Sequence, residues 1–292
     1  MSNANTLMIA FRGPLTIAQY TFREGIRKKL LVGFLILSLL VIFGSSFLGA
    51  FLDPATVGDV ESDINLKLVK DICVTTISIF GVLITIFMSA MAVPTELENR
   101  VIYTVLSKPV RRLQYLLGKF IGVQFIIIIN LALMGGLFFM VLYIRQGILP
   151  TLLLWSIFLT YFEFLIVSAF TFALSCAATS AILPSIGGLF IWITGSLVQY
   201  LGGVQLRSGW VAGDWQDLVQ NFSGEKFIGA TAYALKNVLP NLQMFSLKTQ
   251  ILERMPNDPP TDVQLPRLAA YGLAYGISGF ILAYWIFRRK EL

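Results

Sequence analysis

Six apolar runs, at residues 30–52, 72–93, 120–144, 148–177, 182–201 and 268–287, alternate with polar stretches along the chain. A helix needs about 20 apolar residues to cross the roughly 30 Å hydrocarbon core of a bilayer, and each run is about that long. Stretches such as "FIIIINLALMGGLFFM" are apolar all round and show none of the strict alternation of a transmembrane strand. The pattern predicts an all-α integral membrane protein with six transmembrane helices.

Ahead of the first run stands "PLTIAQYTFREGIRKKLL", in which Leu15, Ala18, Phe22 and Ile26 recur at helical spacing while Gln19, Arg23, Arg27 and Lys28 fall elsewhere on the wheel. This describes an amphipathic helix in the membrane interface, opening near Pro14, with its cations toward anionic headgroups. A plain basic flank that fixes topology gives the same composition. Between the fifth and sixth runs lies a segment that is long for a bare connection. There Trp210, Trp215 and Phe222 suggest a piece at the outer interface, and Met244, Leu247, Ile251 and Met255 form a stripe on a helix expected after Pro240. The expected organisation is a cytoplasmic N-terminus over 1–29, spans one to five over 30–202 including a cytoplasmic loop at 94–119, a small helical extracytoplasmic segment over 203–267, and the sixth span with a cytoplasmic tail over 268–292.

Composition agrees with this layout: 56% of the 292 residues are hydrophobic and 13% are charged. Charge then orients it, because cytoplasmic loops hold the excess of Lys and Arg. With the N-terminus inside, thirteen of the 22 basic residues lie in the N-terminus, the 94–119 loop and the tail, whereas eleven of the 16 acidic residues lie outside. The basic balance thus reads as topology, and nucleic acid is not an expected partner. No secretory signal is expected, since the first run is too long and too far from the terminus for an h-region. Cys73 and Cys176 fall near opposite ends of their spans, too far apart for a disulfide, and are expected to pack as small apolar residues.

Several chemistries are excluded. With no histidine, the chain lacks the usual general base and the commonest metal ligand. It has no GxxxxGK[ST] loop and no GxGxxG fingerprint, so neither ATP hydrolysis through a P-loop nor a dinucleotide cofactor is expected. The chain is expected to be a non-enzyme without cofactor or metal.

The 94–119 loop, "PTELENRVIYTVLSKPVRRLQYLLGK", concentrates two glutamates, three arginines and two lysines. Thr95 and Glu98 stand in the T-x-x-E relation of a capping box, which predicts a new helix just after Pro94. Leu97, Val101 and either Thr104 or Val105 share one face of it. At about 12 residues it would span about 18 Å and end near Ser107, before Pro109 turns the chain toward the third span. A loop that only reverses the chain needs no capping box, apolar stripe or proline corner. The alternative is that its charges fix topology alone.

"TELENRVIYTVLSKPVRRLQYLLGK" resembles the signature of ABC-2 type transporter permeases, in which a glutamate-rich start after the second span leads to a proline turn and a "GK" that opens the third span. "TFREGIRKK" before the first span, "VLPNLQMFSLK" in the outer segment and the tail "FRRKEL" sit where that family has similar features. The chain departs from it at "RVIY", where the family has a small or threonine-containing step. The resemblance implies the transmembrane subunit of an ATP-driven exporter in a prokaryotic inner membrane, dimerising with a second copy or a related chain. It also implies a separate P-loop ATPase on the cytoplasmic side, docked on the short helix after the second span. Carried over residue by residue, Glu96, Glu98 and Arg100 would lie on or beside that helix, and Lys108, Pro109, Arg111 and Arg112 at its corner. A secondary transporter or channel, or a non-transporting membrane anchor, remains the alternative; against the first, the halves show no evident inverted repeat.

Within the spans one carboxylate stands out, Glu163 in "LTYFEFLIVSAF". An ionisable group at that depth is a functional candidate by default. Asn130 falls at similar depth in the third span, so the two form a candidate polar pair. Either they bond each other as an internal clamp, or Glu163 serves a substrate path or proton relay. Ser185, Gly188, Gly195, Gly202 and Gly203 give the fifth span a small-residue character suited to close helix packing, within the chain or between subunits.

Overall fold

The computed structural model describes residues 2–51, 59–98, 112–147, 151–208, 223–246 and 265–290. Every element among them is helical: α1 (Ser2–Ile26), α2 (Lys29–Phe51), α3 (Asp59–Met91), α4 (Pro94–Glu98), α5 (Arg112–Gln146), α6 (Thr151–Ala177), α7 (Ile182–Arg207), α8 (Gly224–Val238), a single 3-10 turn (Leu242–Phe245) and α9 (Leu265–Arg289). Five helical stretches are long and apolar enough to cross a membrane: Lys29–Phe47, Lys67–Glu98, Arg112–Ile144, Leu152–Ala177 and Leu265–Arg289. In α7 the apolar part, Ile182–Val198, is shorter, and the helix runs on through more polar residues to Arg207.

The bundle is organised around α6, which packs against α3, α5, α7, α9 and the 3-10 turn. Its side chains are enclosed on most faces, Phe164, Ile166, Val167 and Phe172 among them. The heaviest contact is with α9, and small residues make it possible. A Cβ added at Gly272, Gly276 or Gly279 would come within 2.8 Å of Phe162, 3.1 Å of Leu165 and 2.9 Å of Ala169 respectively. Glycine at these three positions lets the helices approach closely and gain dispersion contacts along their length. The same device seats α1 on α5: Gly118 faces the Pro14 carbonyl and Ile17, and Gly122 faces Thr21. In α7, Gly188 lies against Thr171 and Ile86, and Gly195 against Leu242, so these two small residues pack within the chain.

Two local expectations change, and a third falls only partly within the described residues. α1 continues through Pro14 rather than opening there, with the proline inside the helix. Thr95 caps nothing: its hydroxyl donates to the Met91 carbonyl at 2.7 Å, since the chain leaves α3 through a single turn at Ala92 and Val93 and is already coiled when it reaches Thr95. After Pro240 comes a four-residue 3-10 turn with Leu242 and Phe245 buried, which leaves Met244 exposed. Leu247, Ile251 and Met255 lie outside the described residues, as do Trp210, Trp215 and Phe222. The segment between α7 and α9 does contain a regular helix, α8, whose Ser223 side chain accepts a hydrogen bond from the Lys226 amide at its start.

Candidate functional site

Two gatherings of charged and polar side chains stand out among the described residues. The first is the end of the bundle where α1, α4 and the start of α5 meet. Pro94 opens α4, a position where its missing N–H is of no consequence, and the next turn carries Glu96 inward and Glu98 outward. Glu96 is 5% exposed and forms an ion pair with Lys119 of α5, itself 2% exposed. It also accepts a hydrogen bond from the Tyr115 hydroxyl. Tyr115 and Lys119 are one turn apart on α5, hence on one face, so both reach the same carboxylate.

A second carboxylate closes the arrangement from α1. Glu24 lies 3.9 Å from Lys119 through one oxygen and 3.5 Å from Lys28 through the other. Lys119 also sits 5.9 Å from the ring centroid of Tyr20. Burial, with Glu24 and Glu96 nearby, raises the Tyr20 pKa. The buried ammonium is therefore held between α4 and α1 while belonging to α5. Three elements distant in sequence are joined by one cation.

At the same end α9 is tied down through backbone carbonyls. Arg112 donates to the carbonyls of Arg288 at 3.2 Å and Lys290 at 3.4 Å. Lys290 in turn donates to Cys176 at 3.3 Å and Ala178 at 3.0 Å, capping the free carbonyls where α6 ends. Partial burial lowers the Lys290 pKa. Tyr115 stacks on Phe287, with ring centroids 5.8 Å apart, and so links the two clusters.

The second place is halfway along α6. Glu163 is 8% exposed and accepts a hydrogen bond from the Trp192 indole N–H of α7 at 3.2 Å. It borders a cleft of about 360 Å³ between α3, α6, α7 and the 3-10 turn, and a smaller cavity of about 40 Å³ that shares Ser78, Glu163 and Ser246 with it. The 3-10 turn roofs this region: Phe245 stacks on Phe162, and the Asn241 amide donates to the Tyr271 hydroxyl at 3.0 Å.

The residues expected from sequence are thus distributed unevenly. Glu96 faces inward, Glu98 is exposed, and Arg112 engages the end of α9 rather than α4. Arg100, Lys108, Pro109 and Arg111 lie outside the described residues. Asn130 and Glu163 do not bond each other. Asn130 donates to the Ile126 carbonyl of its own helix at 2.8 Å, and its Oδ1 is buried without a hydrogen-bond partner. Helix register explains this: Gly135 meets Ile157, and Gln124 donates to Ser168 at 2.7 Å, which puts Asn130 level with Phe162. Glu163, one residue on, is turned about 100° round α6 toward α7. Glu24, Tyr115, Lys119 and Trp192 are not among the candidate site residues expected from sequence. A lysine four residues after a tyrosine at the start of an apolar span was the available signal for two of them.

A family model described as ABC-2 family transporter protein matches residues 15–292. No curated protein matches the chain.

Proposed function

The chain belongs to the ABC-2 family of transporter proteins, as a multi-pass membrane subunit of an ABC transporter, and from that premise we propose that it is the permease half of an ATP-driven exporter. Two copies, or this chain and a relative, enclose a path that alternates its exposure. A separate P-loop ATPase docks at the α4 end and drives the change. The membrane is a prokaryotic inner membrane, α7 is the fifth of six crossings, α1 lies in the interface, and both termini are cytoplasmic.

The observation that carries this reading is the buried Lys119 between Glu96 and Glu24. An ATPase pressing on the outer face of α4, where Glu98 is exposed, would push on an element locked to α5 and α1. A push is transmitted only by parts that deform little. In this reading Glu98, Arg100, Lys108, Arg111 and Arg112 meet or flank the partner, Pro109 fixes the corner, and Glu96 braces α4 from within. Exposed charges set recognition and steering in such contacts more than raw affinity.

The test is co-purification with a P-loop ATPase expressed beside the chain, together with ATP-dependent transport in liposomes. The double change Glu98→Ala with Arg111→Ala is expected to weaken co-purification or to uncouple hydrolysis from transport. Wild-type association and coupling in that variant would refute the docking assignment.

A further inference from the structure

We infer that the cleft beside Glu163 binds an amphipathic organic cation, with its ammonium group against the Glu163 carboxylate and the Trp192 ring. Glu163 is more than nine-tenths buried at mid-length of α6, and among the described residues no salt bridge reaches it. Its hydrogen-bond donor there is the Trp192 indole, on Oε1. A carboxylate has about four acceptor positions, and withdrawing one from water is strongly unfavourable unless an opposite charge or further donors replace the water.

The two cavities that Glu163 borders differ in kind. The smaller, about 40 Å³ and bordered by Ser156 and Thr160, is of a size for one or two waters. The larger, about 360 Å³, falls within the usual range of roughly 300–1,000 Å³ for small-molecule sites. Ser78, Ser196, Gln243 and Ser246 contribute polar lining and Ile193 and Leu197 apolar lining, and among the described residues no lysine or arginine lines it.

Charge decides what fits. An anion would meet Glu163 with no cation beside it among the described residues, and a purely apolar guest would leave the carboxylate unpaired in a drier cleft. An organic ammonium supplies the missing charge, places its apolar body against Ile193 and Leu197, and meets the Trp192 ring, the aromatic face cations favour most. Weak neutral contacts then come from the serines and Gln243. The substrate role of this cation rests on the permease reading, but its binding does not.

The purified full chain, without ATPase, is dialysed to equilibrium against phenyltrimethylammonium and, separately, against benzenesulfonate, which pairs the same ring with the opposite charge. The expected result is saturable binding of the cation and at least tenfold weaker binding of the anion. Glu163→Gln, which keeps the side-chain volume, is expected to weaken cation binding at least tenfold, with Glu163→Asp recovering part of it. Trp192→Phe is expected to weaken it several-fold while keeping the preference for positive charge. Repeating the dialysis in phosphatidylethanolamine and phosphatidylglycerol nanodiscs separates two sources of the ammonium. Competition confined to phosphatidylethanolamine assigns a lipid headgroup, and equal binding in both assigns a soluble amine, each consistent with the ammonium site.

Equal binding of the two probes, or an unchanged affinity in a Glu163→Gln chain that elutes as wild type, would overturn the inference. Failure here with intact ATPase coupling leaves the permease reading standing. Cation binding without any ATPase association would do the reverse.

Discussion

Replacing Lys119 by methionine removes the cation that joins α1, α4 and α5 while nearly keeping its volume. In the native chain Lys119 is 2% exposed and Glu96 5%, so neither charge is eased by water. Deleting one member of such a pair strands the other, at a typical cost of about 3–5 kcal/mol. Glu96 would retain the Tyr115 hydroxyl, which places the expected loss toward the lower end, about 3 kcal/mol. Glu96→Gln with Lys119→Met removes both charges together and is expected to lie within about 1 kcal/mol of wild type, because replacing a buried ion pair outright is often neutral. The double-mutant cycle should therefore return a coupling of at least about 2 kcal/mol. Glu24→Gln, at 3.9 Å from Lys119 and 28% exposed, should cost less than about 1 kcal/mol. The assay is unfolding of the detergent-purified chain by titrated SDS, followed by circular dichroism. If Lys119→Met costs no more than the double change, the pair does not hold the three elements together and the bracing argument fails.

Two further outcomes test the packing. Gly279→Ala would bring a methyl within 2.9 Å of the Ala169 Cβ and 3.1 Å of its backbone, which cannot swing aside, so a loss of about 1–3 kcal/mol is expected in the same SDS titration. Gly136→Ala, with nothing within 4 Å, should be neutral or stabilising by up to about 1 kcal/mol. Asn130→Leu removes a buried oxygen that has no hydrogen-bond partner and is expected to raise stability by about 1 kcal/mol without loss of transport. A fall in either would show that Asn130 is engaged in the assembled transporter.

The spans were legible because an apolar run of about 20 residues leaves little choice of structure in a bilayer. The helices α2, α3, α5, α6 and α9 cover the runs read from sequence, and α7 covers the fifth with a shorter apolar part. Short signals fared worse where tertiary contact competes with them. Thr95 and Glu98 have capping-box spacing, yet Thr95 spends its hydroxyl on Met91 because the chain arrives already coiled from α3. The glycines expected from sequence to matter lie on the fifth span, whereas the tight α9–α6 and α1–α5 contacts use Gly272, Gly276, Gly279, Gly118 and Gly122. Composition alone does not say which glycine faces a neighbour.

The candidate site was legible in outline and opaque in pairing. Glu163 announced itself as the lone carboxylate of an apolar span, but its partner is Trp192, 29 residues on, and the choice between Trp192 and Asn130 depends on helix rotation. The Glu24–Lys119–Glu96 arrangement spans almost a hundred residues and depends on how three helices meet. Nothing local in the sequence encodes it.

The most direct test of the central claim is site-specific photo-cross-linking in membranes that hold the chain and its P-loop ATPase. A photoreactive residue at Glu98, exposed at the end of α4, is expected to give an ATP-sensitive adduct with the ATPase, whereas one at Phe190, exposed on α7, should give none. No ATPase adduct from position 98, or one of equal yield from position 190, would contradict the account.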